Sequence, residues 1–203
     1  MKKNIFLAVI FAAGNATASS LEQYQTFLND TQSARAAFEQ KVYDRDGRLV
    51  QDTRGSFVFK RPGRFRWVYD KPADQVIVGD GLRVWIYDRQ LNQVTVRKVE
   101  RALGSTPAAL LSGASGVQSA FELSDGGSRD GLEWLDAKPR DRETGFESVR
   151  MGFGKNGLQA MELSDHFGQK TLLRFSNLVR NPKVDAREFR FDPPKGADVL
   201  GDR

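Results

Sequence analysis

Apolar residues alternate with polar ones along most of this chain. Over 49–59 the pattern predicts a strand with Phe57 and Phe59 on one face. Over 64–69 it predicts a second strand with Phe65, Trp67 and Tyr69 on one face and Arg64 and Arg66 on the other. The turn between them, Lys60, Arg61, Pro62 and Gly63, is cationic. Further strands are predicted over 34–43, 76–78, 82–87 and 94–99, and, after an interruption, over 132–135, 147–153, 158–165, 170–178 and 188–191. Turn signals separate them at Asp44 to Gly47, Asp80 and Gly81, Gly154 to Gly157, and His166 to Gly168.

Helical spacing is confined to a few places. Leu21, Tyr24, Phe27 and Leu28 predict a short amphipathic helix near the start. Thr106 before Pro107 suits a helix N-cap with proline in the first turn, so a short helix is expected over 108–111, ended by Gly113. A second is expected over 117–123. About ten or eleven short strands without a βαβ rhythm imply an antiparallel sheet curled into a sandwich or barrel. On the 82–87 strand, Leu82, Val84 and Ile86 oppose Trp85 and Tyr87, both faces are apolar, and parity does not choose between them.

The N-terminus narrows the setting. Lys2 and Lys3, an apolar run over 5–13 and Ala16-Thr17-Ala18 read as a secretory signal peptide cleaved after Ala18. The expected product is an exported, soluble protein of one domain over 19–203, with no linker or repeat. There is no cysteine, so its core must hold without disulfides, and no lipid-attachment cysteine follows the cleavage site. The net charge of +5 comes from 31 basic and 26 acidic residues that are interspersed, which argues against nucleic acid as a partner.

Candidate chemistry is sparse. The one histidine, His166, sits in a predicted turn. No HExxH, cysteine cluster, GxSxG elbow or phosphate-binding glycine loop is present, so neither a metal nor a cofactor is expected, nor enzymatic activity. Asp125 and Asp130 fall in glycine-rich loops and read as solvated. What remains is apolar surface. By patterning alone, Phe57, Phe59, Phe65 and Trp67 fit an ordinary packed core better than a pocket for a greasy ligand.

The ordered marks resemble the periplasmic outer-membrane lipoprotein carrier family, LolA. They are Phe38, Gln40 and Val42; Lys60-Arg61-Pro62 followed by Phe65 and Trp67; Asp80-Gly81; Trp85 and Tyr87; Thr106-Pro107; and Phe189, Phe191, Pro193, Pro194 and Gly196. The resemblance implies an incomplete, unclosed antiparallel β-barrel of about eleven strands, mainly β with short helices, in which a helical lid covers an apolar cavity. It implies that acyl chains of lipoproteins enter that cavity, lined by Phe38, Phe57, Phe59, Phe65, Trp67, Val76, Val78, Leu110 and Leu111. It makes Arg61 the latch that holds the lid by hydrogen bonds to lid backbone. Ala108 and Ala109 stand where some members carry bulkier residues. The implied partners are acylated cargo, an inner-membrane ABC transporter and an outer-membrane receptor lipoprotein, with the carrier itself a monomer. A lipid-sensing envelope regulator or an exported hydrolase on the same scaffold are the alternative readings.

Overall fold

The computed structural model describes residues 18–99, 111, 113, 118–141 and 144–201. The predicted signal peptide, Leu110 and most of the predicted 108–111 helix lie outside the described residues. Helix α1 (Ser20–Asp30) opens the chain. Ser19 caps it: its hydroxyl accepts from the Glu22 N–H, and the Glu22 carboxylate accepts from the Ser19 N–H. Strands β1 (Ser33–Tyr43), β2 (Leu49–Lys60), β3 (Arg64–Tyr69), β4 (Gln75–Asp80), β5 (Arg83–Asp88) and β6 (Gln93–Lys98) follow. A 3-10 turn (Gln118–Ala120) leads into β7 (Phe121–Arg129), β8 (Leu132–Pro139), β9 (Ser148–Gly154), β10 (Gly157–Ser164) and β11 (Lys170–Arg180). A second 3-10 helix (Ala186–Phe189) precedes β12 (Asp198–Gly201).

All twelve strands form one sheet in the order β12-β6-β5-β4-β3-β2-β1-β11-β10-β9-β8-β7. Every pair is antiparallel except β12 with β6. The two end strands, β12 and β7, do not meet, so the expected open antiparallel architecture is what forms, with one strand more than about eleven. Two meanders, β2–β6 and β7–β10, are joined through the central pair β1 and β11, where Phe38 lies opposite Phe175.

Three expected elements differ. The 117–123 segment is a single 3-10 turn that passes into β7, because Phe121 and Leu123 alternate with Glu122 and Ser124 as a strand does. The 188–191 strand is instead the tail of the second 3-10 helix. There the Asp185 carboxylate accepts from the Arg187 N–H and Glu188 closes a capping box, which fixes a helical turn. The last strand, β12, has only Val199 and Leu200 as apolar residues and gave no periodic signal.

The C-terminal segment after β11 runs back over the outer face of β3 to β6. Glu188 pairs with Arg35 at 2.8 Å. Phe189 is fully buried, and Phe191 stacks on Trp85 and Tyr87 with ring centroids 5.7 and 5.8 Å away. Asn92 ties the segment down: its side-chain amide donates to the Gly196 carbonyl, and its own carbonyl accepts from the Asp198 N–H. This strap decides the face of β5. Val84 and Ile86 point to the interior, while Trp85 and Tyr87 lie outward beneath Phe191.

The strap also corrects two site expectations. Val76 and Val78 are buried, yet not in the interior. Val78 pairs across the sheet with Arg66 and Trp85, and Val76 with Val68 and Tyr87, so both share the outer face. Ile77, between them, faces inward beside Trp67 and Ile86. The run Val76-Ile77-Val78 is apolar on both sides because the sheet is covered on both sides here.

Candidate functional site

The concave face of the sheet carries a continuous aromatic wall. Phe38, Phe57, Phe59, Phe65 and Trp67 are each at most 2 % exposed and belong to one cluster. Their neighbours follow from register: Phe57 lies opposite Trp67, and Phe59 opposite Phe65. Trp67 is the hub, with ring centroids 4.6 Å from Phe57, 4.7 Å from Phe38 and 6.1 Å from Phe175. Such tilted ring pairs add about 0.5–1.5 kcal/mol each beyond simple burial. Phe65 lies against Gly79 on β4, where any Cβ would clash with the ring carbons Cδ1, Cε1 and Cζ. The wall therefore depends on a missing side chain as much as on the rings present.

Polar groups on this wall are few. The Tyr69 hydroxyl donates to the Gln40 side-chain carbonyl at 3.0 Å, and burial pushes the phenol up to about 12. Trp67 Nε1 is buried without a partner among the described residues. An apolar surface with so little directional bonding suits a ligand held by dispersion and the hydrophobic effect.

Helix α1 closes part of the concavity. It lies against β7, β8, β9 and β10, with Tyr24 and Phe27 packed on Phe153 and Phe27 on Phe59. Val99 and Leu111, both in the segment that joins β6 to β7, are helical and belong to the same cluster, and Leu111 is fully buried.

Arg61 sits where these pieces converge. The β2–β3 turn presents it, with the Arg61 N–H donating to the Gln32 carbonyl and Gly63 in the left-handed region at φ 67°. Its guanidinium carbon lies 5.0 Å from the Phe27 ring centre and 4.8 Å from that of Phe59. Gly113 rests on the stem; a methyl there would come within 3.1 Å of Arg61 Cδ. None of the three guanidinium nitrogens has a hydrogen-bond partner among the described residues. Burial lowers the Arg61 pKa to about 10, and the neighbouring Tyr24 phenol pulls it back upward. The same burial raises Tyr24, against the pull of Arg61. Arg61 thus touches α1, the wall and the β6–β7 connection together, its side chain through rings and stem contacts.

Of the residues expected at the site, the structure brings together Phe38, Phe57, Phe59, Phe65, Trp67, Leu111 and Arg61. It separates Val76 and Val78 from them. Sequence reading passed over Phe27, Phe153, Phe175 and Ile77. Phe27 had a signal in its helical spacing with Tyr24, while Phe153 and Phe175 are single rings on strands whose facing could not be read. Among the described residues no three His, Cys, Asp or Glu side chains gather to hold a metal. His166 Nε2 donates to the Thr144 carbonyl at 3.1 Å, within a turn region.

An open antiparallel sheet with a ring-lined concave face closed by helices defines the class: a β-rich binding protein with an apolar interior. Comparison with known proteins gives the family. Residues 29–192 match the Outer membrane lipoprotein carrier protein LolA family, and the chain belongs to that family. The outer-membrane lipoprotein carrier protein of Dechloromonas aromatica is 48 % identical over 187 residues, covering 92 % of this chain and 90 % of that one. That of Methylibium petroleiphilum is 46 % identical over 193 residues, covering 95 % of each. Among solved structures, an uncharacterized conserved protein from Thermus thermophilus superposes with a TM-score of 0.54 at 16 % identity, covering 89 % of this chain and 95 % of that one; it shares the fold.

Proposed function

We propose that this protein carries lipoproteins through the periplasm by sheltering their acyl chains against the aromatic wall. The supporting observation is the wall itself, five large rings on neighbouring strands closed over by α1 and Leu111 around an unpaired arginine. Membership of the carrier family supports the same reading. In this reading residues 1–18 are a cleaved export signal, and 19–203 form a single carrier domain. Cargo arrives from an inner-membrane ABC transporter and leaves to an outer-membrane receptor lipoprotein, and the protein works as a monomer without cofactor or catalysis.

The energetics fit the task. Each sheltered methylene contributes about 0.8 kcal/mol, so several acyl chains need extensive cover. Release must nevertheless be possible without nucleotide, which demands a closure of modest strength. A guanidinium over two rings contributes on the order of 0.5–2 kcal/mol, and its unused donors add nothing to the closed state. Phe38, Phe57, Phe59, Phe65, Trp67, Leu110 and Leu111 serve as lining, and Arg61 as the latch that biases open against closed.

Arg61→Leu tests the latch. The variant is expected to melt as the wild type does and to load an acylated peptide, but to pass cargo poorly to receptor-bearing membranes. Wild-type transfer rates from Arg61→Leu would remove the latch role. Failure of the wild-type protein to bind any acylated peptide, read as no rise in melting temperature, would overturn the carrier reading.

A further inference from the structure

Helix α1 supplies Phe27 to the Arg61 guanidinium, and only two residues, Thr31 and Gln32, join it to β1. The course of that connection sets where Phe27 lies. A residue from the far end of the chain holds it. Asn181 follows β11 directly and sits in the left-handed region at φ 55°. Its side-chain carbonyl accepts from the Gln32 N–H at 2.8 Å and from the Ser33 N–H at 3.3 Å. Its side-chain amide donates to the carbonyl of Asp30, the last residue of α1, at 2.7 Å. Its own N–H donates to the Ser33 carbonyl at 2.7 Å, and the Ser33 hydroxyl donates to the Pro182 carbonyl at 2.9 Å.

The end of α1 needs such a partner. The final carbonyls of a helix have no donor within it, and α1 has no basic residue in its last turn. The Gln32 side-chain amide donates to the Asn29 carbonyl at 3.1 Å, and Asn181 takes the Asp30 carbonyl. The same connection meets the latch, because the Gln32 carbonyl accepts from the Arg61 N–H at 2.8 Å. The Gln32 main chain is thus bonded to Asn181 on one side and to Arg61 on the other. Asparagine suits the position twice over. It tolerates the left-handed backbone better than most side chains, and it carries both the donor and the acceptor that the connection requires.

We propose that Asn181 is a positioning residue for the latch: it fixes the end of α1 against the Arg61 turn and so sets the Phe27 contact through which Arg61 acts. Its consequence for cargo rests on the carrier reading above. Its hold on α1 does not, and the two are tested separately.

Asn181→Gly removes the three side-chain hydrogen bonds and keeps the left-handed backbone. Asn177→Gly is the control. Asn177 is an exposed residue of β11, also left-handed at φ 53°, so the same change loosens the unfolded chain equally. Amide hydrogen exchange over α1 is expected to quicken about tenfold in Asn181→Gly and to keep its wild-type rate in Asn177→Gly, with β9 and β10 unchanged in both. Transfer of an acylated peptide to receptor-bearing membranes is expected to slow about fivefold in Asn181→Gly. The double variant Asn181→Gly/Arg61→Leu should be no slower than Arg61→Leu alone, because both changes act on one contact. Unchanged exchange over α1 in Asn181→Gly would overturn the proposal. Exchange quickened across the whole sheet would also overturn it, leaving Asn181 a general stabiliser, and so would slowing that adds to that of Arg61→Leu. Wild-type transfer by Arg61→Leu, with exchange over α1 still quickened in Asn181→Gly, would remove the latch and the transfer role of Asn181 while upholding its hold on α1.

Discussion

The two faces of the sheet each set an arginine against aromatic rings, and they treat it in opposite ways. On the outer face Arg150 lies 5.3 Å from the Trp134 ring and is fully paired. Its Nε donates to Asp136 at 2.6 Å, Nη1 to Glu162 at 3.4 Å and Nη2 to the Gly126 carbonyl at 3.3 Å. Burial alone would lower its pKa, yet the hydrogen bonds and charges of Asp136 and Glu162 more than offset this and hold it above the ordinary value. On the concave face the Arg61 guanidinium has two rings, no hydrogen-bond partner among the described residues and a pKa lowered to about 10. Arg150 rivets β8, β9 and β10 into a fixed surface. Arg61 is held only by contacts that vary smoothly with distance, and water or a polar ligand would welcome it if it moved.

The largest effect should come from attacking the concave wall. Phe65→Glu places a carboxylate at a fully buried position against Gly79 and should cost at least about 3 kcal/mol. A chemical denaturation curve would show it. A folded Phe65→Glu that loads acylated peptide normally would mean that the rings do not form one buried surface. A smaller loss is expected on the other side. Phe191→Ala uncovers Trp85 and Tyr87 and should cost roughly 1–2 kcal/mol, less than the range for a fully buried ring because Phe191 is partly exposed. Peptide binding should be unaffected, and a matching loss of binding would show that strap and wall are not independent. The smallest effect belongs to the rivet. Arg150→Met leaves Asp136 and Glu162 facing each other and should destabilise by about 1 kcal/mol, shrinking at high salt, because the groups are partly exposed. A salt-independent loss would place Arg150 with Arg61 and erase the contrast.

The wall was legible because its residues alternate cleanly. Phe65 and Trp67 alternate with Arg64 and Arg66, and Phe57 and Phe59 lie between Ser56 and Lys60 on the opposite side from Val58, so period two fixes their common face. Val76 and Val78 were misplaced for the converse reason: both sides of β4 are apolar, and the covering surface comes from the strap, more than a hundred residues later. The strap itself was read as a strand because Phe189 and Phe191 alternate. The capping box from Asp185 to Glu188, the local signal that makes it a 3-10 turn, is only four residues long and easily overlooked. The position of Arg61 against the wall was indicated by its hairpin, but its partners were not, since Phe27 approaches from a helix about thirty residues upstream.

The strand order has a consequence for incomplete chains. β2 to β6 and β7 to β10 are runs of neighbouring hairpins, and each can pair as soon as it exists. They acquire a common wall only when β1 finds β11, a partner that begins at Lys170. A chain ending before that residue holds two separate ribbons, each with its rings exposed to water. A protein shortened by its final sixth therefore contains every ring of the principal cluster except Phe175, yet lacks the strand seam that joins the two ribbons into one wall.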